Sequence, residues 1–301
     1  MYNIISKIKY AYIFSITLTV LSIVSLFVWG LKLGIDFTGG TLMEVKFEKT
    51  LPANQEIEAI LKDLDLKSLI IQPKSGDSLM FRYASEDDKV NQQVLEKINN
   101  KYPEASQTRV DYINASVSQE LKSKSLLAIF WASAGIMAYI AWAFRKVSRP
   151  VASWKYGAGA VIALVHDVLI TVGVFSILGH FYGVEVGIPF IAALLTILGF
   201  SVHDTIVVYD RTRENLLKSS AKEKFPEIVN RSLNETLVRS INTSLTVFIT
   251  LLAIHFFGGE TIKDFSLALI IGVFFGTYSS IFIASALLVT SYNLQLQNKK
   301  A

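Results

Sequence analysis

The sequence predicts an α-helical polytopic membrane protein with six transmembrane helices and a small extracytoplasmic α+β domain. The mean hydropathy is +0.42, and hydrophobic residues make up 51% of the 301 residues, against 18% charged residues. Several apolar runs exceed the about 20 residues that cross a bilayer as a helix. This composition excludes a soluble enzyme built around one large core. The predicted spans are 11–30, 124–143, 157–180, 187–208, 240–257 and 265–290.

Lysine and arginine residues concentrate in the loops on one side of these spans. The loops on the other side have none at 181–186 and only Lys263 at 258–264. By the positive-inside rule, both termini are predicted to be cytoplasmic, and the cations indicate topology rather than nucleic-acid binding. The cations that determine the orientation are Lys7, Lys9, Arg145, Lys146, Arg149, Lys155, Arg211, Arg213, Lys218, Lys222, Lys224, Arg231, Arg239, Lys299 and Lys300.

The first apolar run, from Ala11 to Trp29, is too long for the core of a signal peptide and lacks a small-x-small cleavage pattern. We therefore expect a retained first span. The predicted division of the chain is 1–30 for this span, 31–122 for an outer domain, 123–293 for a five-helix bundle and 294–301 for a cytoplasmic tail.

The outer segment 31–122 alternates between β and α periodicity. The residues at 73–77 (PKSGD) predict a turn between its second and third strands. The βαββαβ order indicates a ferredoxin-like domain, and without histidine or cysteine it suits binding better than catalysis. Its predicted elements are strand 41–47, helix 54–64, strand 67–72, strand 78–83, helix 86–100 and strand 107–113.

Asp204 lies inside the fourth apolar run, one to two turns before the charged residues that follow it. A carboxylate at such depth costs about 2.5–3.5 kcal/mol on insertion scales and usually faces a bundle interior or a wet cavity. Asp167, in the third span, is the deepest carboxylate. Its neighbour His166 is expected to point about 100° away around the helix. Both carboxylates are candidates for proton or ion handling.

A polar stripe opens the fifth span. Its residues recur at helical spacing and predict one shared helix face: Arg239, Asn242, Thr243, Thr246 and Thr250. The fourth and fifth spans run antiparallel, so an ion pair between Asp204 and Arg239 is geometrically feasible. In the alternative interpretation, Arg239 is an interfacial anchor and the threonines bond to their own helix backbone. In the last span, Gly272, Gly276, Ser280 and Ala284 predict close helix packing.

Three stretches together resemble the SecF family, the six-span subunits of the bacterial SecDF protein-export complex, which is itself similar to half of an RND-type transporter. They are GIDFTGGTLMEV from Gly34 to Val45, ALVHD from Ala163 to Asp167, and DTIVVYDRTREN from Asp204 to Asn215, with Arg239, FGG at 257–259 and FSL at 265–267 beyond. The resemblance covers essentially the whole chain. His203 departs from it, because the family usually has asparagine there.

The resemblance implies an accessory subunit of the Sec preprotein translocase in the bacterial inner membrane. It implies assembly with SecD and the SecYEG channel, with YajC as a further partner, and use of the proton-motive force on unfolded preproteins. It assigns the proton path to Asp204 and Arg239, and our prediction adds Asp167, Asn242, Thr243 and Thr246. The family motif residues Gly34, Asp36, Gly39 and Gly40 are expected at the junction of the outer domain. We expect no enzymatic activity, cofactor or bound metal, and contacts with membrane lipids.

Three alternatives use the same polar residues. Asp167 with Asp204 or Asp210 offers an aspartyl-protease dyad, although only the Tyr209-Asp210 half of the known intramembrane signature is present. The set of His166, Asp167, His203 and Asp204 has the right ligand types for a metal, but neighbouring helix residues diverge. A proton-coupled RND-type exporter of small or lipid-like solutes is the third alternative. The sequence leaves open whether protons or sodium ions are used.

Overall fold

The computed structural model describes residues 2–48, 51–74, 77–145, 150–219 and 223–298. Short 3₁₀ turns lie at Ile5–Lys7 and Lys62–Leu64, and a π-helical turn lies at Ser280–Ala284. In chain order, the helices and strands are α1 (Ile8–Val28), α2 (Ile35–Thr38), β1 (Gly40–Lys46), α3 (Asn54–Leu61), β2 (Ile70–Lys74), β3 (Ser78–Tyr83), α4 (Asp88–Lys101), β4 (Ser106–Ile113), α5 (Ala115–Ala143), α6 (Ser153–Tyr182), α7 (Ile188–Lys218), α8 (Phe225–Phe257), α9 (Glu260–Ser279) and α10 (Ser285–Asn298).

Within the described residues, six helical segments are long and apolar enough to cross a membrane, which confirms the predicted fold class. They are Ile5–Val28, Val117–Ala143, Ser153–Tyr182, Ile188–Lys218, Phe225–Phe257 and Ile262–Asn298. Helix α10 extends to Asn298, so most of the segment predicted as a tail is helical. Residues 299–301, including two of the cations that predicted the topology, lie outside the described residues, as do Lys146, Arg149 and Lys222.

Helices α7 and α8 extend well beyond the predicted spans at their polar ends. Helix α8 begins at Phe225, with a proline in its first turn and the Glu227 carboxylate accepting a hydrogen bond from the Lys224 N–H at 3.4 Å. The side chains of Phe225 and Val229 are buried in the core. The charged end of α7 is therefore part of a packed helix, because apolar residues one turn apart anchor its neighbour α8.

The chain forms two compact units, and the first holds most of the membrane helices: Met1–Leu31, Ala128–Val184 and Pro189–Ala301. Contacts between aromatic rings mark its core. Tyr209 lies edge-on to Tyr156, with ring centroids 5.3 Å apart, and to Phe144, with centroids 6.1 Å apart. The Tyr209 hydroxyl donates to the Ala284 carbonyl at 3.1 Å, which satisfies its buried polar end.

The small residues of the last span allow α9 to approach α7 closely. A Cβ added at Gly272 would lie 2.2 Å from Ile197 Cδ1, and one added at Gly276 would lie 2.9 Å from Ser201 Cβ. The predicted close packing is confirmed, and in this chain it is internal. It brings Ser280, in the π-helical turn that follows α9, within hydrogen-bonding distance of α7.

The second unit consists of Lys32–Leu127 and Glu185–Ile188. Its sheet has the order β2-β3-β1-β4, with every neighbouring pair antiparallel. Helices α3 and α4 supply Ile57, Leu61, Val94 and Ile98 to the core beneath the sheet. The βαββαβ order and the strand order are those of a ferredoxin-like fold, as the sequence predicts.

Two details of this unit differ from the predictions. Pro73 and Lys74 were predicted in a turn but end strand β2, where they pair with Leu79 and Ser78; residues 75 and 76 lie outside the described part. Proline is tolerated there because β2 is an edge strand. Residues 185–188 were predicted in the helical bundle, but Leu33 forms a parallel bridge with Val186, which adds this segment to the second unit.

Candidate functional site

The carboxylate of Asp167 is the most enclosed charged group of the described membrane helices, with no exposed surface. Its Oδ2 atom accepts hydrogen bonds from Ser201 Oγ of α7 at 2.7 Å and from Ser279 Oγ of α9 at 2.6 Å. Its Oδ1 atom lies 2.9 Å from His166 Nδ1. A single carboxylate thus joins α6, α7 and α9 in a low-dielectric environment, where such bonds are strong.

The position of His166 corrects the sequence-based expectation. Helical spacing predicts that its ring points away from Asp167, yet Nδ1 turns back to contact the carboxylate. The ring lies over Tyr278, with centroids 6.4 Å apart. His166 Nε2 is buried and has no hydrogen-bond partner among the described residues. The imidazole and the carboxylate therefore form a buried pair.

Hydroxyl groups extend the Asp167 site along α7 and the π-helical turn. Ser280 Oγ donates to the Ser201 carbonyl at 3.1 Å and lies 2.8 Å from Thr205 Oγ1. Single π-helical turns are frequent at functional sites. The sequence analysis missed Ser201, Thr205, Ser279 and Ser280; the adjacent serines within an apolar helix were the signal that could have found the last two.

Asp204 lies one turn beyond Ser201 on α7 and is also buried, with 4% of its surface exposed. Ser240 of α8 lies beside it, but neither Asp204 Oδ2 nor Ser240 Oγ makes a hydrogen bond of ordinary geometry with a described residue. His203 is exposed on another face of α7. A buried carboxyl oxygen without a partner is costly, so this atom marks a place where a proton, a water molecule or an ion can bind.

The ion pair between Asp204 and Arg239 that the sequence suggested does not form in the described chain. Arg239, Asn242 and Thr246 are exposed, and Thr243 is half-buried. Thr246 Oγ1 donates to the Thr243 carbonyl at 2.8 Å, in agreement with the alternative interpretation of the threonines. The stripe lies on an outer face of α8, because Ser240 and Ser244 occupy the buried face instead.

The alternative sites find no support in the described residues. No group of three histidine, cysteine, aspartate or glutamate side chains there is arranged to hold a metal ion. Asp210 is exposed and pairs with Arg213 at 3.4 Å, so it forms no dyad with Asp167. The neighbouring Arg211 bridges α7 to Glu235 of α8 at 2.5 Å, which makes this charged cluster a connection between helices.

In the second unit, the motif from Gly34 to Gly40 surrounds Asp36. The Asp36 carboxylate accepts from Arg82 Nη2 at 3.1 Å and from the N–H of Ile188 at 3.0 Å. Gly39 has φ +80° and Gly40 has φ +155°. A Cβ added at Gly40 would lie 2.4 Å from the Tyr83 carbonyl oxygen, so only glycine fits there. The motif therefore fixes the start of β1 against β3.

Six described helices of membrane-spanning length and hydropathy, buried carboxylates within them and a small ferredoxin-like domain define a polytopic membrane protein of the transport class. The model of the family "Protein export membrane protein SecD/SecF, C-terminal" matches residues 93–294, and that of the "SecD/SecF GG Motif" matches residues 24–51. The chain belongs to the SecD/SecF family of protein-export membrane proteins.

Individual relatives agree with this assignment. The protein translocase subunit SecF of Thermobaculum terrenum is 43% identical over 95% of this chain and 92% of its own length, and that of Anaerolinea thermophila is 39% identical over 96% and 94%. The crystal structure of SecDF, a translocon-associated membrane protein from Thermus thermophilus, matches with a TM-score of 0.77 and 33% identity over 97% of this chain. This chain spans 39% of that longer chain.

Proposed function

We propose that this protein is an accessory subunit of the Sec preprotein translocase that couples the proton-motive force to the late translocation of unfolded proteins. The family assignment supports the translocase role. The observation that carries the coupling is the buried Asp204 carboxyl, which has an oxygen without a partner among the described residues. Such a group can exchange a proton without first breaking an ion pair.

Proton binding at Asp204 supplies enough free energy to change helix packing. One elementary charge crossing 100 mV releases about 2.3 kcal/mol. A shift of this size changes the ratio of two conformations by about fiftyfold, if the proton binds only one of them. We infer that the protonated carboxyl packs differently against Ser240, so that α7 and α8 alternate between two arrangements.

Asp167 acts in this proposal as a second proton-linked group. Its ionised form attracts the hydroxyl groups of Ser201 and Ser279, which hold α7 and α9 against α6. Neutralising the carboxylate weakens both bonds, because hydrogen bonds to charged groups are about twice as strong as neutral ones. Proton transfer to Asp167 would therefore loosen the contact among these three helices.

The exposed polar stripe on α8 indicates that another membrane protein packs against that face. An arginine exposed to lipid is costly, so a second bundle would cover Arg239, Asn242 and Thr246 and complete the proton path. We assign that bundle to SecD, since the relative of known structure carries SecDF in one chain of which this protein spans only 39%. The SecYEG channel, YajC and the unfolded preprotein complete the proposed assembly.

The proposed location is the bacterial inner membrane, with both termini in the cytoplasm. The excess of lysine and arginine on one side of the helices supports this orientation. The ferredoxin-like unit then lies outside the cytoplasm, where a translocating chain emerges. Its motion would follow the change in helix packing.

Preprotein transport into inverted vesicles tests the proposal. Vesicles would carry this protein with SecD and SecYEG, and transport would be compared with and without an imposed proton gradient. We expect Asp204→Asn to abolish stimulation by the gradient while SecD still co-purifies. Asp210→Asn is the matched control, because Asp210 lies on the same helix but is exposed, and it should keep the stimulation. Full stimulation in Asp204→Asn would contradict the proposal.

A further inference from the structure

A large apolar groove lies in the membrane unit, and neither Asp167 nor Asp204 lines it. Its volume is about 1120 Å³, and it runs between the N-terminal segment, α8 and α9. Leu245 and Phe248 line it on α8, and Val273 and Phe274 line it on α9. Leu245 is 51% exposed and Phe274 is 59% exposed, so the groove opens sideways toward the lipid.

The N-terminal segment, residues 2–7, closes one end of the groove with polar groups. Asn230 and Asn234, one turn apart on α8, hold it through the backbone. Asn230 Oδ1 accepts from the N–H groups of Ile4 and Ile5 at 2.8 and 3.2 Å, and Asn234 Oδ1 accepts from the N–H of Tyr2 at 2.7 Å. The groove is therefore preformed in the chain and needs no ordering to accept a ligand.

The polar groups that line this end are Tyr2, Asn3, Ser6 and Lys7. Lys7 is exposed at this end of the groove. The walls below are mostly hydrocarbon. The hydroxyl groups of Ser244 and Thr277 bond to each other at 2.6 Å, and the Tyr278 hydroxyl donates to the Ala11 carbonyl at 3.1 Å. A ligand for this groove thus has an anionic or polar head and an apolar tail.

The depth of the groove matches one leaflet of a bilayer. Its lining on α8 extends from Leu237 to Phe248. At 1.5 Å per residue these positions span about 16 Å, close to half of the roughly 30 Å hydrocarbon core.

We propose that this groove binds one anionic phospholipid, with its headgroup at Lys7 and its acyl chains against α8 and α9. The lipid comes from the leaflet on the N-terminal side. The preference for an anionic headgroup rests on the proposed function's cytoplasmic N-terminus, because the cytoplasmic leaflet carries the anionic lipids that attract basic residues.

Native mass spectrometry of the full-length protein in detergent tests the proposal, with phosphatidylglycerol and phosphatidylcholine as the added lipids. We expect Leu245→Trp, which fills the groove, to lose one tightly retained phosphatidylglycerol. Ile249→Trp is the matched control: it places the same side chain one turn along α8 at an exposed position that does not line the groove, and it should retain the lipid. Because Leu245 is half exposed, the variant should fold, and its thermal midpoint verifies this.

The assignment of the lipid headgroup to Lys7 is tested with a second pair of variants. Lys7→Gln should lower the preference for phosphatidylglycerol over phosphatidylcholine about fivefold, the equivalent of about 1 kcal/mol for one basic residue at an anionic surface. Lys9→Gln, outside the groove lining, should change it less. Unchanged lipid retention in Leu245→Trp would contradict the groove as the lipid-binding site. An unchanged lipid preference in Lys7→Gln would contradict Lys7 as the headgroup contact. Displacement of the lipid by a co-purifying membrane-spanning protein would assign the groove to a helix instead. None of these readouts depends on translocation.

Discussion

Ser279 of α9 donates a hydrogen bond to Asp167 of α6, with Ser279 Oγ 2.6 Å from Asp167 Oδ2. The two residues are far apart in the sequence, and both are fully buried. A buried carboxylate holds its donors strongly because the alternative is an unpaired charge in a low-dielectric medium. This contact therefore makes the position of α9 depend on the charge of α6.

We expect Ser279→Ala to destabilise the protein by about 1–3 kcal/mol, since the buried carboxylate loses one of two donors on the same oxygen. Thermal unfolding in detergent measures the change. Thr212→Val is the control, because Thr212 is equally buried but its hydroxyl bonds only to the carbonyl of Val208 on its own helix, at 2.8 Å. Equal losses of stability in the two variants would mean that the hydrogen bond to Asp167 contributes no more than a bond within one helix. The gradient-dependent part of transport should also change only in Ser279→Ala.

Arg239→Gln should leave the stability of the isolated subunit within about 0.5 kcal/mol, because the side chain is exposed and makes no ion pair with Asp204. The same variant should reduce co-purification with SecD if the polar stripe contacts that partner. Arg231→Gln provides the comparison: it removes an Arg231–Glu223 pair of 2.6 Å at the end of the same helix and should leave assembly unchanged. A large fall in the thermal midpoint of Arg239→Gln alone would place the arginine inside this subunit's own packing.

Gly40→Ala should destabilise the ferredoxin-like unit by about 1–3 kcal/mol, because φ is +155° and the new Cβ would meet the Tyr83 carbonyl. Hydrogen exchange of strands β1 and β3 measures this locally. Gly135→Ala in α5 is the matched control: a Cβ there meets no atom within 4 Å, and alanine favours a helix. Gly135→Ala should therefore be neutral or slightly stabilising. Unchanged exchange in Gly40→Ala would show that the backbone can relax at this position.

The hydroxyl of Tyr83 predicts alkaline sensitivity of the same unit. Burial raises its pKa above the ordinary value near 10, and in the folded state it donates to Asn91 Oδ1 at 2.7 Å. Because the folded pKa is the higher one, the stabilisation is complete below about pH 10 and is lost as the pH rises through the folded value. NMR of ¹³Cζ-labelled tyrosine, assigned with Tyr83→Phe, should show titration well above pH 10. Titration near 10 would contradict the buried state.

Local sequence patterns predicted much of this protein because they depend on consecutive residues. Long apolar runs identified the six helices, and alternating periodicity identified the strands of the outer unit. Asp167 and Asp204 were found for the same reason, since a carboxylate inside an apolar run is visible without knowledge of its neighbours. Motif resemblance added the family.

Only the tertiary structure decided which polar groups meet. Hydropathy does not specify the rotation of a helix about its axis. The sequence therefore suggested that Arg239 faces Asp204, whereas in the structure Ser240 lies beside Asp204 and Arg239 is exposed. Close packing at Gly276 holds α9 against α7, and Ser279 of α9 then contacts Asp167. The pairing of Leu33 with Val186 likewise joins distant segments. These contacts arise from the fit of side chains across elements, and that fit depends on the whole fold rather than on any single stretch of sequence.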